Sequence, residues 1–330
     1  MLTVTAPGAY TLIQDLGRPG HYAMGLPPSG ALDQFSHRCA NMLVGNEENA
    51  ATLEITMVGP TLEFTTDSCV AVTGGDVDVT IDGHPHQLWT SLNVSAGQAL
   101  HVGVLRSGCR AYIAIRGGID TTPFLGSRST YVSSAIGGLR GEPLRTGDIL
   151  PVGNLYGRHR YLGPGCVIEP RLRPTHTGEY TVRVVEGLCH YRFAPEGVRT
   201  FFASPYTVSS ESDRTGYRLK GPELGFVDRE APFGAGDNPS NVVDLGYPMG
   251  SIQIPNGEEP ICLLRDAVTG GGYATIGTVI TADLDIFGQL RAPDIVHFRP
   301  ISLEQALHAR RERGRRLKEV EVSLRLLTLY

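Results

Sequence analysis

The chain has 330 residues, 41% of them apolar and 19% charged, with a formal net charge of −5. That balance describes a globular protein rather than a disordered one, and the length exceeds what one hydrophobic core usually supports, so two domains are expected. The acidic excess leaves no basic footprint for nucleic acid, and no apolar run reaches the length of a membrane span.

The opening MLTVTAPGAY lacks the basic stretch and apolar core of a secretory signal. Cys39, Cys69, Cys109, Cys166, Cys189 and Cys262 stand singly, with no C-x-x-C pair, which argues against a zinc ribbon or a thioredoxin-type site. A cytoplasmic protein with free thiols is expected. The 41 glycines and 22 prolines favour short strands joined by tight turns over long helices, so the fold class is mainly β with a few short helices.

Leu2 to Leu12 reads as an extended lead-in, followed by the Gly- and Pro-rich loop LIQDLGRPGHYAMGLPPSG. Leu32, Phe35, Cys39 and Met42/Leu43 then recur at helical spacing, predicting one helix near 30–44 with Ser29 as N-cap and Gly45 as C-cap. From Leu53 to about Val152 apolar and polar residues alternate between Gly-containing turns, the signature of antiparallel sheet. A Pro-rich stretch predicts a linker at 161–180, between an N-terminal module at 1–160 and a second β-rich module at 181–330. Near the end, Ser302 and Gln305 form a capping-box pattern before LEQALHARRERGRRLK, whose basic face is expected to be solvated. The last stretch, EVEVSLRLL, alternates Val320, Val322 and Leu324 against Glu319, Glu321 and Ser323 and predicts a strand.

Three constellations carry candidate chemistry. QDLGRPG, with Gln14, Asp15 and Arg18 on a Gly- and Pro-rigidified backbone and Asp33 following, suits bidentate capture of an anion, or is a surface turn with an Arg–Asp pair. SSESDRTGYRLKG packs five charged side chains into one short stretch. Asp213 there is placed to orient Arg214, and Tyr217 to donate to an oxyanion; the alternative is a β-turn with exposed charges. GSIQIPNG with Gln253, and RDAVTGGGY with Thr269, Gly270, Gly271, Gly272 and Tyr273, offer backbone amides that an anion can approach closely, or mark a bulge or close strand crossing. The glycine run is neither a P-loop nor a dinucleotide fingerprint. His84 and His86 in GHPHQL read as a hairpin turn rather than metal ligands, so no metal site is expected.

QDLGRPG, SGALD, ANMLVGN, LEI, RGGID, LGSRST, SDRTGYRL, GSIQIPNGEEPI and TGGGY, in that order from about residue 5 to 310, resemble the biotin-dependent carboxyltransferase-like family, also called allophanate hydrolase subunit 2. Its members resemble the second half of the urea carboxylase carboxyltransferase domain and include the C-type component of bacterial 5-oxoprolinase and the antagonist of a sporulation-kinase inhibitor. The resemblance implies cyclophilin-like β-barrel modules and a separate partner chain of the subunit 1 or B type. It also implies an ATP-dependent amidohydrolase of the 5-oxoprolinase type, with Asp213, Arg214, Tyr217 and Gln253 catalytic and Gln14, Arg18, Asp33, Thr269, Gly270–Gly272 and Tyr273 binding substrate. Two alternatives stand beside it: carboxyl transfer from biotin on a separate carrier protein, and a non-catalytic regulatory subunit. The chain departs from the family where Val268 replaces the usual Gln and where Ala292, Pro293 and Asp294 replace Pro-Gly-Asp.

Overall fold

A computed structural model describes residues 1–154, 163–230, 233–234 and 236–326. The end of the first expected module, the start of the expected linker and the last four residues of the chain lie outside the described residues.

The chain divides into two units. The first comprises Met1–Arg18, Ser29–His176 and Gly314–Tyr330; the second comprises Pro19–Pro28 and Thr177–Arg313. The break between His176 and Thr177 falls inside the expected linker. The contiguous modules expected on either side are interrupted twice, because the loop after Arg18 belongs to the second unit and the end of the chain to the first.

In the first unit the elements are β1 (Leu2–Ala6), β2 (Tyr10–Gln14), α1 (Gln34–Leu43), β3 (Thr52–Thr56), β4 (Thr61–Phe64), β5 (Ser68–Asp76), β6 (Val79–Ile81), β7 (His84–His86), β8 (Ser91–Val94), β9 (Ala99–Val102), β10 (Ser107–Ile115) and β11 (Ile149–Leu150). They form two sheets, β11-β1-β4-β9-β6-β7 and β2-β3-β10-β5-β8. The alternating residues of both sheets, among them Leu2, Val4, Leu53, Ile55, Leu62, Val72, Leu100 and Ile113, bury one shared core. His84 and His86 are exposed on the β6–β7 hairpin, and no group of three or more potential metal ligands gathers among the described residues.

The helix expected near 30–44 is α1, but its N-cap is Asp33, not Ser29. Asp33 has extended backbone angles (φ −99°, ψ 90°), and its carboxylate accepts from the Ser36 amide at 2.9 Å and the Ser36 hydroxyl at 2.6 Å. Ser29 lies four residues earlier with φ 52°. Gly45 follows the helix at φ 72°, a left-handed conformation that glycine adopts without strain.

The second unit contains β12 (Glu179–Glu186), α2 (Pro195–Ala203), β13 (Pro205–Val208), β14 (Gly216–Lys220), β15 (Asn241–Gly246), β16 (Ser251–Gln253), β17 (Ile261–Leu263), β18 (Gly270–Tyr273), β19 (Thr275–Val279), α3 (Leu284–Gln289) and β20 (Ile295–Pro300). Seven of these strands close a barrel in the order β12-β19-β16-β17-β14-β13-β20, while β15 and β18 pair as a separate two-stranded ribbon. Cross-strand neighbours fill the barrel: Val182 beside Phe298, Tyr206 beside Val296, Tyr217 beside Cys262, and Cys262 in turn beside Ile252. All of these are buried. The chain is therefore mainly β, as its alternation predicts.

The last element, α4 (Leu303–Leu326), corrects the expected C-terminal strand. The capping box forms as predicted, with Gln305 N donating to Ser302 Oγ (3.2 Å) and Ser302 N to Gln305 Oε1 (2.9 Å). The helix then runs on through EVEVSLRL. Leu317, Val320 and Leu324 share one helical face and are buried, whereas Val322 is 44% exposed. The alternation of Val320, Val322 and Leu324 fits either period over so short a stretch; continuity with a strong helix former decides between them. The basic run is not all solvated, because Arg316 lies over the Phe35 ring at 4.6 Å and Arg313 pairs with Asp285 at 2.6 Å. No helix among the described residues is long and apolar enough to cross a membrane.

Candidate functional site

Two of the stretches singled out in the sequence meet at one end of the barrel. β14 begins beside the end of β17, with Gly216 opposite Leu263. Two backbone hydrogen bonds tie the flanking loops: Leu264 N to the Thr215 carbonyl (2.9 Å) and Asp266 N to the Arg214 carbonyl (3.1 Å). Across them, Arg214 Nε donates to Asp266 Oδ2 at 2.7 Å and Nη2 to Oδ1 at 3.2 Å. Both side chains are buried. Arg214 is thus not an exposed loop arginine, and Asp213 does not orient it. Asp213 instead accepts from the Thr215 and Gly216 amides (2.7 and 3.2 Å), closing its own turn. Tyr217 points into the barrel, where its hydroxyl donates to the Leu290 carbonyl at 2.9 Å and its ring meets Phe287 edge-on. These residues build the frame.

Asp266 leads through Val268 and Thr269 into the glycine run, which is strand β18. Gly270 pairs with Gly246 and Gly271 with Leu245, so the run is one edge of a ribbon ladder and not a cradle of open amides. It does not fit a phosphate group in the manner of a P-loop. The ribbon packs on the outer face of β17 through Tyr247, Ala267, Ile261 and Leu263, with Leu245 against them. Gly271 is required by that contact: a Cβ there would lie 2.8 Å from the Tyr247 ring. The same tyrosine clasps the ribbon end, its hydroxyl donating to the Tyr273 carbonyl (2.8 Å) and accepting from the Tyr273 amide (2.6 Å). Outward from this frame stand Val268, 56% exposed, and Tyr273, 39% exposed. Gln253, on β16, and Thr269 are partly exposed. Among the described residues the side chains of Gln253, Thr269 and Tyr273 have no hydrogen-bond partner. Of the residues predicted in this unit, these three are presented and not spent on the fold.

In the first unit the predicted residues are structural ties. Gln14 donates from Nε2 to the Thr130 carbonyl (2.9 Å) and accepts from the Gly30 amide (3.1 Å). Asp15 accepts from the hydroxyls of Ser127 and Ser129 and the Arg128 amide, at 2.5–2.6 Å. Arg18, 1% exposed, donates to the Ser129 carbonyl. Asp33 caps α1. The QDLGRPG motif therefore locks its loop onto residues 127–130.

The Tyr273 end of the ribbon also holds residues that the sequence did not single out. Asn241 lies opposite Tyr273, and Ala274 N donates to the Ser240 carbonyl at 2.7 Å. Asn238 Oδ1 accepts from the Ser240 hydroxyl (2.7 Å) and its Nδ2 donates to Asn256 Oδ1 (2.5 Å). Arg192 Nη2 donates to the carbonyls of Pro239 and Asn241, both at 2.8 Å, and Arg229 Nη2 reaches the same Asn241 carbonyl at 3.3 Å. Burial, followed by the charge of Arg229, pushes the Arg192 pKa down. Only the turn signal DNPSN, residues 237–241, hinted at this place in the sequence.

The model for the carboxyltransferase domain, subdomain A and B, matches residues 24–300. The C-type component of 5-oxoprolinase from Escherichia coli (strain K12) is 36% identical over 323 residues, covering 97% of this chain and 97% of the relative. Urea amidolyase of Lachancea kluyveri is 36% identical over 329 residues, but the chain spans only 18% of that relative. Among solved structures, the urea carboxylase of Kluyveromyces lactis superposes with a TM-score of 0.91 at 35% identity, over 98% of this chain and 29% of that one.

Proposed function

The chain belongs to the family of carboxyltransferase domains, subdomains A and B, and on that premise we propose that it is a subunit of a heteromeric amide- or lactam-processing enzyme of the 5-oxoprolinase type. The observation that carries this reading is the match to the C-type 5-oxoprolinase component along 97% of both chains. In this reading the chain works with a subunit 1 or B-type partner, in the cytoplasm, where its six buried cysteines stay as thiols. ATP is the co-substrate, because opening an unstrained lactam is uphill unless coupled.

The division of labour follows from burial. Arg214 and Asp266 hold two loops together, and Tyr217 anchors β14 to the barrel interior. Gln253, Thr269 and Tyr273 then offer an amide, a hydroxyl and a phenol to a bound amide and to the oxyanion that develops on its carbonyl during attack. Val268, where the resembled family usually has Gln, is exposed and adds no polar group beside Thr269. The test is product formation: the complex co-expressed with its partner chain should convert 5-oxoproline to glutamate only when ATP is present.

A second reading, carboxyl transfer to a urea-like amide, is supported by the superposition on urea carboxylase. It requires a biotinylated carrier protein, supplied separately. Bicarbonate-dependent carboxylation of urea without 5-oxoproline turnover would select it.

A further inference from the structure

We propose that Arg192 and Arg229, meeting on the Asn241 carbonyl, form a binding site for a compact oxyanion, a carboxylate or a phosphoryl group. Arg192 is 3% exposed, and its Nε is buried with no hydrogen-bond partner among the described residues. Its Nη2 is held by two backbone carbonyls. Neither arginine forms an ion pair among the described residues, although Asp228 and Glu230 flank Arg229 in the chain. Carbonyl dipoles compensate a buried guanidinium only in part, and a second guanidinium on the same oxygen adds repulsion. Arg214 and Arg183, by contrast, end on carboxylates. An oxyanion set between these two would satisfy the open donors and cancel the repulsion, and the planar fork of guanidinium suits a carboxylate or phosphate edge. Arg229 is exposed, so a ligand can enter from solvent past it. The site stands on this geometry alone and does not depend on the reaction proposed above.

The experiment is calorimetric titration of the whole chain with sodium phosphate and, separately, with sodium 5-oxoproline, each against chloride at matched ionic strength. Saturable binding of at least one anion is expected; phosphate alone would identify a phosphoryl ligand, and 5-oxoproline alone a carboxylate. Arg229→Gln should weaken that binding by about tenfold or more, the value of one charge-assisted contact, and leave the unliganded melt unchanged. Arg192→Lys keeps the charge but loses the fork and should weaken binding as well. No saturation above the chloride control with either anion, or wild-type affinity in Arg229→Gln, would overturn the proposal.

Discussion

Arg214 and Asp266, 52 residues apart in the chain, share two hydrogen bonds of 2.7 and 3.2 Å inside the second unit. The pair closes the gap between the loop that enters β14 and the loop that leaves β17. Removing one partner leaves the other charge buried and uncompensated. Asp266→Ala and Arg214→Ala should each cost about 3–5 kcal/mol. The double variant should cost less than the sum of the two. Urea denaturation of the four proteins reads the cycle; costs that simply add would show the pair to be energetically unlinked.

Gly271→Ala tests the ribbon. The added methyl would press on a Tyr247 ring whose hydroxyl is already committed to both the amide and the carbonyl of Tyr273, so the ring cannot swing away freely. A cost of about 1–3 kcal/mol is expected, as for other overpacked sites. Hydrogen exchange should quicken in residues 241–247 and 269–274 and stay unchanged in the first unit.

His37 gives the protein a pH dependence. Its Nε2 faces the Glu48 carbonyl, which can only accept, so that nitrogen carries the proton, and Nδ1 accepts from the Thr52 hydroxyl at 2.9 Å. Burial pulls its pKa down from 6.5 to about 4. Below pH 6.5 the unfolded chain takes up a proton that the folded chain refuses, so stability falls as the pH drops from about 6.5 to 4, by up to about 3 kcal/mol. Melting curves across that window should show the loss in the wild type and a shallower slope in His37→Gln.

Val320 and Val322 distinguish the helix from the expected strand. A strand would place both on one face, whereas α4 buries the first and exposes the second. Val320→Asp should destabilise the first unit strongly, by burying an unpaired charge, and Val322→Asp should shift the melting temperature little.

The β class and α1 are legible in the sequence, because alternation and helical spacing are local patterns. Arg214 reads there as an exposed arginine because its partner is set by the pairing of β14 with β17, which no local pattern reveals. The glycine run looks like an anion cradle; its pairing with β15 and its packing on Tyr247 are tertiary facts. Arg192 escapes notice for a related reason. What marks it is that, among the described residues, it pairs with no carboxylate, a property of space and not of chain order.

Gln253, Thr269 and Tyr273 are, in the proposed function, the groups that the barrel and ribbon present to an amide substrate. The most direct measurement is the rate of ATP-dependent glutamate release from 5-oxoproline by the complex reconstituted with its partner chain, for wild type, Gln253→Ala and Tyr273→Phe. Turnover by the wild type is expected, with a loss of about tenfold or more in kcat/KM for each variant, the usual effect of removing an oxyanion or substrate contact. Their melting temperatures should not change, since neither side chain supports the fold. A wild-type complex that assembles yet leaves 5-oxoproline untouched, or variants that keep the full rate, would contradict this assignment.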